Sequence, residues 1–339
     1  MSLNTIWFII FIAVITGYLI LDGFDLGVGI LHLFAAKDDK ERRLNLNSIG
    51  PIWDGNEVWL VLGGGVLFAA FPIVYASLFS GFYPAMVLVL LFLILRPVAI
   101  EFRSKQESER WRNLWDVVFF LTSLMLALLL GVALGNVISG VPLDQQGNIT
   151  ISSVLELLHP FALLLGLTTI AMLTLHGALY VNLKTEGELQ ERVRGYIPWL
   201  MAAFAGTAVL TALFILFADY QVMAVYSQIW PLMFPLAAAL SFGAIWYFLR
   251  RGHEFKAFIA SALVIAFLML SVAVGMFPNL LISTLDTQYN LTITNAASQP
   301  NTLTVMLIIA LIGMPFVLLY TAGVYYLFRG KVRLDAESY

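Results

Sequence analysis

Apolar stretches of about 20 residues, the length that crosses a bilayer as one helix, recur at 5–36, 49–72, 74–97, 115–139, 156–183, 196–218, 225–249, 256–283 and 302–328. Nine spans are therefore predicted. Between the second and third, only Pro72 and a change of pattern near Tyr75 mark a turn. The polar interruptions alternate in character. Lys37, Lys40, Arg42 and Arg43 follow span 1, and Arg96, Arg103, Lys105, Arg110 and Arg112 follow span 3. Lys184, Arg192 and Arg194 follow span 5, Arg250, Arg251 and Lys256 follow span 7, and Arg329, Lys331 and Arg333 follow span 9. Together these are all 18 Lys and Arg residues. Independent placement of each charge would give this segregation on the order of once in 10^5 chains, so the pattern predicts an N-terminus outside and a C-terminus in the cytoplasm.

Composition agrees with that pattern. Hydrophobic residues make up 60% of the 339-residue chain and charged residues 12%, against about 25% charged in a soluble domain, and the mean hydropathy is +0.89. A net charge of -3 with few basic residues excludes a nucleic-acid partner, which needs a concentrated basic face. Cysteine is absent, which excludes disulfides, thiolate metal sites and cysteine nucleophiles. Phosphate-loop and dinucleotide patterns are missing, and no metal site or catalytic residue is assigned. The first apolar run lacks a basic flank and outlasts a signal core, so it reads as a retained anchor. The segments 140–155, 219–224 and 284–301 are polar without Lys or Arg and read as short outer caps. Trp7, Trp230, Trp111, Trp115 and Trp246 read as interfacial anchors.

Spans 1 to 4 and 5 to 8 share one phase, and Asp22-Gly23 has a counterpart in His176-Gly177. The expected architecture is all-α: a first four-helix bundle over 1–140, a second over 141–284, and an outer loop, peripheral ninth helix and cytoplasmic tail over 285–339.

Four acids fall where lipid is expected. Asp22 and Asp25 lie in span 1, Asp54 and Glu57 in span 2, each pair spaced i,i+3 on one helix face. At 1.5 Å per residue from the cytoplasmic ends, Asp54 lies at about 9 Å, Glu57 about 14 Å, Asp25 about 18 Å and Asp22 about 22 Å, in a hydrocarbon layer of about 30 Å. A mid-membrane acid costs about 2.5 to 3.5 kcal/mol and is expected to face the bundle interior. If spans 1 and 2 pack antiparallel across a short loop, these carboxyls form a ladder suited to passing protons. Trp53 and Asn56 are its neighbours, and His32, seven residues from Asp25, extends it inward. The bland alternative is that the acids are protonated and only lock helices together. A lone helical histidine more often finds a hydrogen-bond partner than a heme, so heme ligation by His32 or His176 stays open as the minor reading. Gly23, Gly27 and Gly63-Gly64-Gly65 read as close-packing positions.

The run Asp22-Gly-Phe-Asp-Leu-Gly-Val-Gly with Trp53-Asp-Gly-Asn-Glu-Val-Trp resembles subunit II of the cytochrome bd-type quinol oxidases. Phe68-Ala-Ala-Phe-Pro72, Ser80-Gly-Phe-Tyr83, Arg96-Pro97, Phe102-Arg-Ser-Lys105, Trp111-Arg-Asn113 and Trp115-Asp116 agree with it. The motifs are dense over 17–142; beyond 156 the likeness rests on span count and length. The resemblance implies a multi-pass subunit of a bacterial cytoplasmic-membrane complex that oxidises quinol and reduces dioxygen to water. It implies b-type hemes and heme d in a partner, subunit I, and none held by this chain. Its implied work is to stabilise subunit I and convey cytoplasmic protons toward the oxygen-reducing heme. A small single-span accessory subunit, lipid and quinone are among the partners it allows. The family's acid motif maps onto Asp25 and Asp54, and Asp22 also matches; Glu57 is the acid for which the resemblance does not require a carboxyl. The rival reading is a cation-coupled secondary transporter using the same acids, with helix breaks at Pro231, Pro235, Pro278 or Pro315. A third is a scaffold without conduction.

Overall fold

The computed structural model describes residues 1–218 and 220–334; residue 219, in the second polar segment, and the last five residues of the tail lie outside them. Eleven α-helices are present among the described residues: α1 (Leu3–Ala35), α2 (Asp39–Ile49), α3 (Trp53–Ala70), α4 (Pro72–Gly81), α5 (Tyr83–Arg103), α6 (Glu109–Ser139), α7 (Pro160–Lys184), α8 (Glu188–Phe217), α9 (Met233–Arg250), α10 (Glu254–Met276) and α11 (Pro300–Leu327). Eight of these are long and apolar enough to cross a membrane: α1, α5, α6, α7, α8, α9 with its preceding turn, α10 and α11.

The departures from the expected nine lie between residues 36 and 103. The second expected span is matched by one helix, α3, but the loop before it is itself helical. Asp38 caps α2, accepting from the Glu41 amide at 2.8 Å, so the connection after α1 is an amphipathic helix rather than a short loop. The helix that follows is the 18-residue α3. Asp54, Asn56 and Glu57 crowd its first turns, which is why it falls below the hydropathy of the other eight. The third expected span is divided. Pro72 starts the separate, ten-residue α4, and α5 begins only at Tyr83 and runs to Arg103. Arg96, expected in a loop, is therefore inside a helix.

α1 is the central element, packed against α3, α6, α7 and α10. It runs antiparallel to α3: Asp25 meets Asn56, Gly17 lies against the Trp59 ring and Gly63 against Ile15, and Trp7 and Phe8 share a core with Leu67 and Ala70. The α1–α7 crossing is closest at Gly27 and Gly177. A Cβ on Gly27 would fall 2.0 Å from the Leu173 carbonyl oxygen, and one on Gly177 2.4 Å from the Gly27 carbonyl carbon. Only glycine permits this approach. Gly63 serves the same end, whereas Gly64 and Gly65 have open space around them and do not pack as expected.

One end of the bundle carries the basic segments. There Arg192 donates to the Ala35 carbonyl at 2.6 Å, and Lys331 to Glu254 at 2.9 Å. At the opposite end, the polar segments knit into a cap: the Val141 amide donates to Ile282 O at 2.9 Å, Ser77 Oγ to Gly147 O at 2.5 Å, and Asn279–Leu281 pairs antiparallel with Leu291–Thr292. Trp7 is buried and donates to Leu303 O at 3.0 Å. It anchors α1 to α11, not to an interface as expected, because α11 covers it.

Candidate functional site

Two sets of charged residues occupy the interior of the helices around α1. The upper set begins with Asp22 and Arg96, both 0% exposed. The guanidinium donates through both terminal nitrogens to the two carboxylate oxygens, Nη1 to Oδ2 at 2.9 Å and Nη2 to Oδ1. This paired geometry suits a planar guanidinium and a carboxylate. It offsets a large part of the desolvation that burying either charge alone would cost. Sequence reasoning missed Arg96 because counting basic residues by loop assigned it to the wrong segment; Pro97, expected to end the span, is carried within α5.

Three residues further along α1, Asp25 has a different environment. Asn56 Nδ2 donates to Asp25 Oδ2 at 2.7 Å, and Tyr325 Oη on α11 donates to Asn56 Oδ1 at 2.8 Å. Asp25 Oδ1, fully buried, has no partner among the described residues. Asn56 was expected as a neighbour of the acids and is in direct contact. Tyr325, 269 positions away, carries no local signal that would have singled it out.

The remaining acids do not join the same face. Along α3 the positions turned toward α1 include Asn56, Gly63 and Leu67, and residues two apart on a helix point in nearly opposite directions. Asp54 consequently lies on the other side, at the head of an exposed stripe with Val58, Val61, Gly65 and Phe68. Glu57 is half-buried, within electrostatic reach of Arg96, Asp22 and Asp54. Trp53 is half-buried against the main core. The expected ladder on one shared surface is thus corrected: two acids are interior, one is outward, and Glu57 lies between them.

His32 belongs to the lower set, at the basic end. Its Nε2 lies 2.6 Å from Asp116 Oδ1, and its Nδ1 3.1 Å from Asn45 Nδ2. Asp116 also accepts from Arg103 Nε at 2.5 Å and Arg42 Nη1 at 2.7 Å, and Arg103 continues to Asp39 at 2.9 Å. His32 therefore faces α2 and α6 rather than extending the acids of α1 and α3. Beside this set, Glu41 accepts from the Lys37 amide and from Arg192, both at 2.7 Å. Burial works to raise the Glu41 carboxyl, but the Arg192 hydrogen bond and the Lys37 amide outweigh it and hold the group below its ordinary value.

Both ring nitrogens of His176 have protein partners, Ser261 Oγ at 2.7 Å and Ile20 O at 3.0 Å. Among the described residues no cluster of three or more His, Cys, Asp or Glu is arranged to hold a metal ion.

Long apolar helices enclosing a sealed guanidinium, two carboxylates and a buried charged network define an integral, multi-pass membrane protein whose polar interior is built for charge. The sequence model for cytochrome bd terminal oxidase subunit II matches residues 3–328. The chain belongs to this family. It is 36% identical to the cytochrome bd-I ubiquinol oxidase subunit 2 of Escherichia coli (strain K12) over 97% of its own length and 95% of the relative's. It is 35% identical to the cytochrome bd ubiquinol oxidase subunit 2 of Bacillus subtilis (strain 168), over 98% and 97%. In fold it matches a chain of the bd oxidase from Geobacillus thermodenitrificans, with a TM-score of 0.80 at 18% identity, over 97% of this chain and 99% of that one.

Proposed function

We propose that this chain is subunit II of a bacterial cytoplasmic-membrane quinol oxidase, stabilises a heme-bearing subunit I, and passes cytoplasmic protons toward the oxygen-reducing heme. The observation that carries the reading is Asp25: a carboxyl sealed in the bundle, held at one oxygen by Asn56 and left at the other without a partner among the described residues. A group so placed can take up a proton at Oδ1 without breaking the contact that holds it. Asp54 supplies the other end. An acid heading an apolar stripe is costly against lipid, and that cost disappears where the stripe faces a protein partner. The stripe from Asp54 to Phe68 is accordingly assigned to subunit I. The route runs from Asp54 past Glu57 toward Asp25 rather than straight up one face. Arg96 pairs with Asp22 through both carboxylate oxygens and holds that pair beside the route. The hemes and quinol belong to the complex, with the hemes in subunit I.

In this reading α3 is the ninth crossing. Its 18 residues extend about 27 Å, and its antiparallel course along α1 supports a full traverse, with α4 lying in the outer cap. The helices then form two four-helix groups, α1, α3, α5 and α6 followed by α7 to α10, with α11 at the edge. A cation-coupled transporter is not favoured, since the family match runs almost the full length of the chain.

The test uses the assembled complex. Asp25→Asn and Asp54→Asn keep size and much of the hydrogen bonding but carry no carboxyl proton. Quinol-dependent oxygen consumption is expected to fall at least about tenfold, equivalent to about 1.4 kcal/mol of added barrier, with heme content unchanged. Full turnover in both variants and in the double variant would refute the route. Loss of assembly would return these acids to a helix-locking role.

A further inference from the structure

Asn56 is held between two groups with opposite demands. Its Oδ1 accepts from Tyr325 Oη at 2.8 Å and its Nδ2 donates to Asp25 Oδ2 at 2.7 Å. A phenol hydroxyl serves as donor or acceptor, whereas an ionised carboxylate only accepts. With Tyr325 donating, the amide has one orientation, the one that supports the ionised carboxylate. Without that hydroxyl, rotating the amide by half a turn would offer its oxygen to Asp25, which accepts a hydrogen bond from the protonated carboxyl and repels the ionised one. A flipped amide would instead use Tyr325 Oη as acceptor and leave its proton without a described partner, so Tyr325 favours the orientation that supports the ionised Asp25.

The position of Tyr325 fits that role. It reaches Asn56 from α11, an otherwise largely exposed helix at the edge of the bundle. It also lines a cavity of about 1430 Å³ at the basic end, together with Ser48, Ile52, Lys105, Tyr180 and Glu254. Tyr180 is committed elsewhere, donating to Ser48 O at 2.9 Å. The charged and titratable groups around Asp25 are Asp22 on its own helix, Arg96 from α5, Glu57 from α3, Tyr180 from α7 and Tyr325 from α11. Among these, Tyr325 is the one bonded to the amide that holds Asp25.

We infer that Tyr325 is a positioning residue for proton transfer: acting through Asn56, it fixes the orientation in which Asp25 gives up its proton, and so couples the ninth helix to the buried carboxyl. This rests on the reading of Asp25 as a proton carrier. The experiment compares Tyr325→Phe, Asn56→Leu, their double variant and Asp25→Asn in the purified complex, following quinol-dependent oxygen consumption across pH, heme content and subunit stoichiometry. Tyr325→Phe is expected to lower turnover about fivefold, the size of one lost hydrogen bond, and to displace the pH profile toward alkaline values, with heme content and stoichiometry unchanged. Asn56→Leu should also be defective, and adding Tyr325→Phe to it should cost nothing further. Wild-type turnover and profile in Tyr325→Phe would overturn the inference, as would full additivity in the double variant. A uniform loss at every pH with depleted heme or a missing subunit would also overturn it, by assigning the hydroxyl to packing. Asp25→Asn separates the two levels: defective beside a normal Tyr325→Phe, it leaves the proton reading standing, and normal turnover in both would remove the reading itself.

Discussion

Arg96 and Asp22 join α5 to α1 by a two-toothed ion pair in which neither side chain is exposed. A pair of this kind is asymmetric in its response to mutation. Removing one partner strands the other charge and costs about 3 to 5 kcal/mol, whereas replacing both removes the burden together. Arg96→Met and Asp22→Asn are each expected to reduce the yield and thermal stability of the detergent-purified complex. The double variant should recover most of the loss. Equal or greater destabilisation in the double variant would show that the two groups act separately.

Crossing number and sidedness are open to direct chemical reading, because this chain has no cysteine. Single cysteines at Gln145 and Gln288 are expected to react with a membrane-impermeant maleimide from outside the cell, and one at Ser104 only after the membrane is opened. With α1 on the outside at its start, this pattern requires α3 to cross. Labelling of Ser104 from outside, with Gln145 and Gln288 reached only after the membrane is opened, would remove α3 from the count.

Glu41 links the acid range to stability at the basic end. Its folded carboxyl titrates below its ordinary value, so the stabilisation is present above the unfolded value of about 4.3 and is lost as pH falls through the lower folded value. Glu41→Gln should lower the melting temperature near neutral pH, by the equivalent of about 1 kcal/mol for a part-exposed charged contact. The gap to the parent protein should close on acidification below that range. A gap that persists unchanged in acid would mean that shape, not charge, is what Glu41 supplies.

Much of this was legible in the sequence because lipid imposes a simple rule on side chains. α1, α7 and α11 fall within four residues of the apolar runs and α6, α8, α9 and α10 within eight at one end, and the basic residues gather at one end apart from Arg96. The motifs around Asp22 and Trp53 led directly to the interior carboxyls and to Asn56. What the sequence withheld has identifiable causes. Pro72 marks the break after α3, but apolar run length says nothing about the one at Phe82, so α4 and α5 were read as one segment. Spacing i,i+3 places Asp54 with Glu57 but does not reveal which side of α3 meets α1; Gly63 and Asn56 decide that, through packing. Tyr325 and Arg96 reach the site across long separations in the chain, and only the fold brings them there.

Where α1 crosses α7 at Gly27 and Gly177, backbone rests on backbone with no side chain between. Such a joint has no rotamer to turn and no methylene to compress, so it gives the two helices a fixed fulcrum. Asp25 stands two residues before that point and His32 five residues beyond it, on one continuous helix. A displacement of the charged lattice around Asp116 would reach the buried carboxyls as a rigid tilt rather than being absorbed along the way. The spacing between the inner charges and the carboxyls is set, in mechanical terms, by a lever with almost no play.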